Sequence, residues 1–219
     1  RLGTGTRAAY DLVRADVPGG IVHRSSSASL MTTRMAAPAI RAGAAAVFVS
    51  TGVECDSRYG SGYPDPPDSF NPRLVPGNSE EYPDIYIAMG KTAENVAERE
   101  NISREDMDRY AVKSQAAAVK ARDDGFFDRE IIPVPLPSGE TFSKDDSPRP
   151  GTNLEALANL EPAFKEGGKV TAGNSCPLND GAAASVVMSD TKAKELGIKP
   201  LARIVATGAA ALEPVLMGL

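Results

Sequence analysis

Nucleophiles and bases are scarce in this chain, which holds one histidine and two cysteines in 219 residues. The histidine, His23, stands three residues before Ser26, where the short apolar stretch Ile21-Val22 gives way to a helical pattern. A Ser26–His23 pair is one reading of that spacing. A serine hydroxyl needs an adjacent base to attack a carbonyl, and a helix dipole worth roughly a kcal/mol cannot ionise it. The other reading is a surface or partly buried histidine with an ordinary hydrogen bond. Cys55, in Gly52-Val53-Glu54-Cys55, reads as a small structural residue. Cys176, in Asn174-Ser175-Cys176-Pro177, reads as a buried thiol acting as a small hydrophobe. One histidine and two cysteines argue against a structural zinc site. The acidic pairs Glu80/Glu81 and Asp123/Asp124 read as solvated faces rather than general acids.

These residues need elements to hold them. Thr6–Arg14 is expected to form a short helix, Val17-Pro18-Gly19-Gly20 a turn, and Ile21-Val22 the start of a strand. Ser26 to Ala42 is helical in pattern, with Leu30, Met31, Met35, Ala39 and Ile40 on one side, Gly43 as the stop, and Pro38 predicting a kink or an early end. Ala44–Ser50 is a continuous apolar run, as expected for a strand covered on both faces. Tyr59–Pro83, rich in Pro, Gly, Asp, Ser and Asn, reads as a long loop. Helices are predicted at Ala88–Glu98 and Arg104–Asp123. The second has a capping box (Ser103 and Asp106) and a small apolar face of Met107, Tyr110, Ala111, Ser114, Ala118 and Ala121.

Arg129–Val134 and Glu140–Ser143 read as short strands and Thr152–Leu160 as a weak helix. A tight Gly/Asn/Pro turn then leads into the small-residue strand Gly181–Met188, which is expected to be buried. Ser189-Asp190 caps a helix over Thr191–Leu196, closed by Gly197, and Leu201–Ala211 is expected to be a final strand. The layout is βαβ, a polar and helical insertion of about a hundred residues, and a return to the sheet.

Composition bounds the function. Hydrophobic residues make up 42% and charged residues 24%, ordinary for a globular chain. A net charge of −5 without a basic block argues against nucleic acid as a partner. No apolar run reaches the roughly 18 residues of a membrane helix, so no membrane is expected. Arg1–Arg7 has no apolar core of the signal-peptide kind. Two cysteines fit a reducing compartment, and the expected location is cytoplasmic.

Several spaced motifs converge on one family. Val170-Thr171-Ala172-Gly173-Asn174 through Asn179-Asp180-Gly181-Ala182-Ala183-Ala184 resembles the thiolase signature. Met89-Gly90-Lys91-Thr92-Ala93-Glu94-Asn95 is similar to that family's Met-Gly-x-Thr-Ala-Glu-Asn. Ser103-Arg104-Glu105-Asp106-Met107-Asp108 and Ser114-Gln115 resemble its Ser-Arg-Glu-x-x-Asp and Ser-Gln helix, and Gly125-Phe126-Phe127 with Glu130-Ile131 the segment after it. Asp145, Asp146, Arg149 and Pro150 match its acidic-then-Arg stretch, and Gly52-Val53-Glu54 with Ser57-Arg58 its Gly-Val-Glu-Ser-Met-Ser-Arg. The similarity runs from about Val22 to the end and is closest to bacterial degradative thiolases.

The resemblance implies an α/β thiolase-like fold: the first α/β half (1–58 and 163–198), an inserted loop domain on the CoA-binding side (59–162), and only the opening strand of the second half (199–219). It implies an acyl-CoA acyltransferase for 3-ketoacyl-CoA thiolysis or acetyl-CoA condensation in lipid or sterol β-oxidation. CoA is then a substrate, with no resident cofactor. Ser26 falls at the nucleophile position, where the family carries cysteine. The neighbours Ser25, Ser29 and Met31 also depart from the family's usual residues, and Ala88 stands where many members have histidine. The family's catalytic histidine and second cysteine belong to the half not present here. Activity is therefore expected to be impaired or absent; the alternative is a non-catalytic CoA-binding or subunit-partner protein. By the same resemblance Met89 and Cys176 line the pantetheine channel, and Arg149 faces the CoA nucleotide and phosphates. Solvated charge for Arg149 and helix-start packing for Met89 are the competing readings. A homo-oligomer, dimer or tetramer, is expected through Ala44–Ser50 as an edge strand, unless that run is the central strand of a monomer.

Overall fold

The computed structural model describes residues 11, 17–58, 71–75 and 83–219. The expected Thr6–Arg14 helix and most of the Tyr59–Pro83 loop lie outside them. The chain divides into two compact units, Arg1–Pro64 with Leu178–Ala210, and Asp65–Pro177 with Ala211–Leu219. Residues 163–177, which the sequence expectation placed in the α/β half, thus pack with the second unit.

In the first unit, α1 (Ala28–Arg41) leads through Gly43 into β1 (Val47–Glu54), and β4 (Gly181–Met188) returns beside it, followed by α5 (Asp190–Glu195). The two strands are antiparallel and in full register, Val47 opposite Met188 and Glu54 opposite Gly181. Side chains alternate across a strand, so Phe48, Ser50 and Gly52 face α1. The helix comes close enough that the Ser50 hydroxyl meets Thr32 at 2.6 Å and Thr33 at 2.9 Å. A Cβ on Gly52 would lie 1.8 Å from Ser29 Oγ, so glycine is what permits this approach.

Four expectations change here. Pro38 does not end α1 at once: the helix continues to Arg41, and Ala42 N–H still bonds Pro38 O at 2.9 Å. Proline forfeits its own N–H bond, but its carbonyl can still accept, and only three helical residues remain to be disturbed. Among the described residues β1 is covered on one face only, with Val47, Val49 and Val53 exposed on the other. The expected final strand over 201–211 is absent as well. A strand exists by its ladder partners, and these residues have none among the described residues. Leu201 is fully exposed, and Arg41 Nη2 bonding Ile204 O at 3.2 Å tethers the segment. Ile21-Val22 likewise joins no ladder.

The second unit contains α2 (Met89–Arg99), α3 (Arg104–Asp123), the hairpin β2 (Val134–Pro135) with β3 (Thr141–Phe142), and α4 (Leu154–Ala158). The predicted start of α3 is observed: Ser103 Oγ accepts the Asp106 N–H at 3.0 Å, and its hydroxyl donates to the Asp106 carboxylate at 2.6 Å. That hydroxyl holds the Asp106 carboxyl below the usual aspartate range, assisted by Arg109. The inward side of α3 keeps Met107, Ala111, Ala118 and Ala121 of the expected face and adds Arg104, Asp108 and Gln115, while Tyr110 and Ser114 are exposed.

The centre of this unit is polar. Glu94, 5% exposed, accepts the Lys169 N–H at 2.8 Å and the Val170 N–H at 2.7 Å. Lys169 Nζ donates to Ile102 O at 2.7 Å. Asp108, 3% exposed, accepts from Arg104 Nε at 2.8 Å and from Asn174 Nδ2 at 2.9 Å. Arg104 also reaches Leu157 O at 2.5 Å, which joins α3 to α4. Buried charge is costly unless hydrogen-bonded or paired: Glu94 and Lys169 are held by backbone groups, and Asp108 is paired with Arg104.

Candidate functional site

Ser26 is presented by a tight turn that feeds α1. Ser25 has φ +45°, and the Ser27 hydroxyl and N–H both bond Arg24 O, at 2.9 and 3.1 Å. No side chain caps this end of α1, and its first turn carries no acidic residue, so the positive end of the helix dipole is not neutralised locally. That setting suits a developing negative charge. Ser26 is exposed, and its hydroxyl makes no hydrogen bond among the described residues. His23 is exposed too and does not bond Ser26, so among the described residues no base contacts the hydroxyl.

At the far end of the sheet, Asp180 ties the start of β4 to the end of β1. Its carboxylate accepts the Ser57 hydroxyl at 2.6 Å and the Ser57 N–H at 2.9 Å, with Cys55 Sγ at 3.7 Å. The Ser57 hydroxyl, then the Ser57 N–H, hold the Asp180 carboxyl below the usual aspartate range, outweighing its small loss of solvation. Cys55 is a half-buried free thiol within this turn.

Met89, Arg149 and Cys176 all belong to the second unit, and among the described residues none bonds another. Met89 opens α2 and is 53% exposed, which is not helix-start core packing. The next residue, Gly90, is buried under Phe164, whose ring carbons would lie 2.2 Å from an added Cβ. Cys176 is an exposed free thiol, so the buried-hydrophobe reading does not hold. It follows a loop fixed from both sides: the Asn174 side chain accepts the Thr171 N–H at 2.8 Å and donates to Asp108 and Lys169 O. Arg149 is exposed beside a cleft of about 460 Å³ lined by Ala116, Val119, Asp123, Pro150 and Thr152.

The residues that hold these positions, Glu94, Asp108, Gln115 and Asn174, lie inside the motifs quoted above but were given no role from sequence. The available signal was a polar side chain recurring on the packed stripe of a helix. Among the described residues no group of histidine, cysteine and carboxylate side chains is arranged to hold a metal, and no helix is long and apolar enough to cross a membrane.

Comparison with known proteins agrees with this framework. A model of the thiolase N-terminal domain matches residues 7–191. The acetyl-CoA acetyltransferase of Allochromatium vinosum is 36% identical over 214 residues, 92% of this chain and 54% of the relative. Among solved structures, the acetyl-CoA acetyltransferase of Bacillus anthracis superposes with a TM-score of 0.77 at 36% identity, covering 93% of this chain and 54% of that one. The dimeric peroxisomal thiolase of Saccharomyces cerevisiae gives 0.76 at 32% identity, covering 88% and 49%. The chain belongs to the thiolase family, and its mixed helix-and-sheet fold is that of the family's N-terminal domain. It spans about half the length of the relatives it matches.

Proposed function

We propose that this chain is the CoA-facing half of a thiolase-type acyl-CoA acyltransferase, acting on 3-ketoacyl-CoA or, in reverse, on acetyl-CoA in lipid or sterol β-oxidation, with its chemistry impaired. The observation that carries the impairment is the exposed Ser26 hydroxyl at the mouth of α1 with no base against it. Acyl transfer needs an oxygen or sulfur that attacks the carbonyl and gives up its proton. A thiol at a helix N-terminus ionises near neutral pH, whereas an unassisted serine hydroxyl does not. On this reading Met89 and Cys176 lie along the pantetheine arm, Arg149 meets the phosphates, CoA is substrate rather than cofactor, and the protein works in the cytoplasm. The whole chain incubated with acetoacetyl-CoA and CoA is expected to give no thiolysis and no acyl adduct by intact mass. Turnover that Ser26→Ala abolishes would sink the reading.

A second reading, a non-catalytic partner of another thiolase-like subunit, is favoured by the exposed apolar face of the β1–β4 sheet, where Val49 and Val186 are 57% and 59% exposed. Both readings keep CoA as the ligand and expect no acyl transfer by this chain; they differ in whether the valine face meets another subunit.

A further inference from the structure

Arg149 has an unusual backbone. It lies between Pro148 and Pro150, and a residue before proline is confined to extended conformations. Its carbonyl accepts the Thr152 hydroxyl at 2.9 Å. Its N–H donates to Gln115 Oε1, across from α3, at 2.7 Å. The guanidinium is the part left free: it is exposed and has no hydrogen bond or ion pair among the described residues. A guanidinium stays charged at any physiological pH, and its planar fork matches phosphate oxygens. A fixed stem under a free fork reduces what must be ordered when an anion arrives. The neutrality of the acceptor matters too. A carboxylate at 115 could take the same N–H, but it would set a negative charge close to the bound phosphate.

We propose that Gln115 is a positioning residue for phosphate recognition, holding the Arg149 backbone so that its guanidinium meets a phosphate of coenzyme A. This rests on the reading above that Arg149 faces CoA. The test titrates CoA, and pantetheine as a phosphate-free probe, into the full chain by calorimetry for wild type, Arg149→Ala, Gln115→Leu and the double variant. Arg149→Ala is expected to weaken CoA binding about tenfold and Gln115→Leu several-fold. The double variant should be no weaker than Arg149→Ala alone, because the two residues act through one contact. Pantetheine affinity should stay level across the set, which a general loss of structure would not allow. A wild-type chain that does not bind CoA, or an Arg149→Ala chain that binds it unchanged, removes the CoA reading and this proposal together. Loss on Arg149→Ala with none on Gln115→Leu, additive losses, or a parallel loss of pantetheine overturns the role of Gln115 alone. If Gln115→Leu does not fold, Gln115→Glu keeps the acceptor and adds the charge. Its CoA affinity should then fall, most at low salt, and an unchanged value overturns the proposal.

Discussion

Glu94 shows how a charged residue becomes architecture. Its two oxygens receive three hydrogen bonds from the N–H groups of Lys169 and Val170, at 2.7 to 3.0 Å, inside a unit whose neighbouring side chains are small. The carboxylate thus does for this loop what a strand neighbour does elsewhere. Replacing it with an apolar residue of similar size leaves buried donors without partners, each costing about 1–3 kcal/mol. We therefore expect Glu94→Leu to destabilise the chain by about 2–4 kcal/mol, read from urea unfolding followed by circular dichroism. Arg109→Ala is the contrast. Its ion pairs to Glu105 and Asp106, at 2.6 and 2.9 Å, lie on the exposed side of α3, and solvent screening leaves them worth less than about 1 kcal/mol. Equal losses for the two variants would contradict the assignment of Glu94 to the interior framework.

Among the elements, α2 and α3 were legible because local signals set their ends: Ser103 with Asp106 fixed the start of α3, and the predicted span Arg104–Asp123 matches the observed one. The inward stripe of α3 was legible only in part: Met107, Ala111, Ala118 and Ala121 lie on it as expected. Apolar periodicity pointed to Tyr110 and Ser114, whereas the packed side carries Asp108 and Gln115, polar residues whose partners Asn174 and Arg149 are distant in sequence. No window along the helix contains those partners. The 201–211 strand failed for a related reason: apolar, β-branched composition is necessary for a strand, but a ladder must be supplied by another segment. Ser26 was placed by motif. What motif could not provide was the absence of a hydrogen bond from His23, three residues away. Close approach is the other feature invisible in sequence. Gly90 reads as an ordinary weak helix former, yet it is the position where Phe164 lies against the backbone of α2. Alanine there has the higher helix propensity by about 1 kcal/mol. Because an added methyl meets a ring, the expected outcome of Gly90→Ala is nonetheless a net loss of about 1–3 kcal/mol. A rise in the midpoint of thermal unfolding would show that Phe164 moves aside freely.

At the scale of the whole molecule the open question is the sheet. It has two strands, and its second face presents Val47, Val49, Val53 and Val186, from 38% to 59% exposed, beside Ala182 and Ala184. Small-residue strands of this kind are suited to burial on both faces, and an apolar face rimmed by open strand edges is a site for association. The first face is occupied by α1, so any covering by a second copy falls on the valines or on the free edge of β1 or β4. We expect the chain to self-associate in sedimentation velocity at micromolar concentration, and Val49→Asp to shift it toward monomer. The monomer itself should be little affected, because Val49 is already 57% exposed and its replacement removes few internal contacts. Association that survives Val49→Asp and Val186→Asp together would place the contact on the strand edge, where backbone groups rather than side chains make it. A wild-type chain that remains monomeric across the concentration range would remove the homo-oligomer.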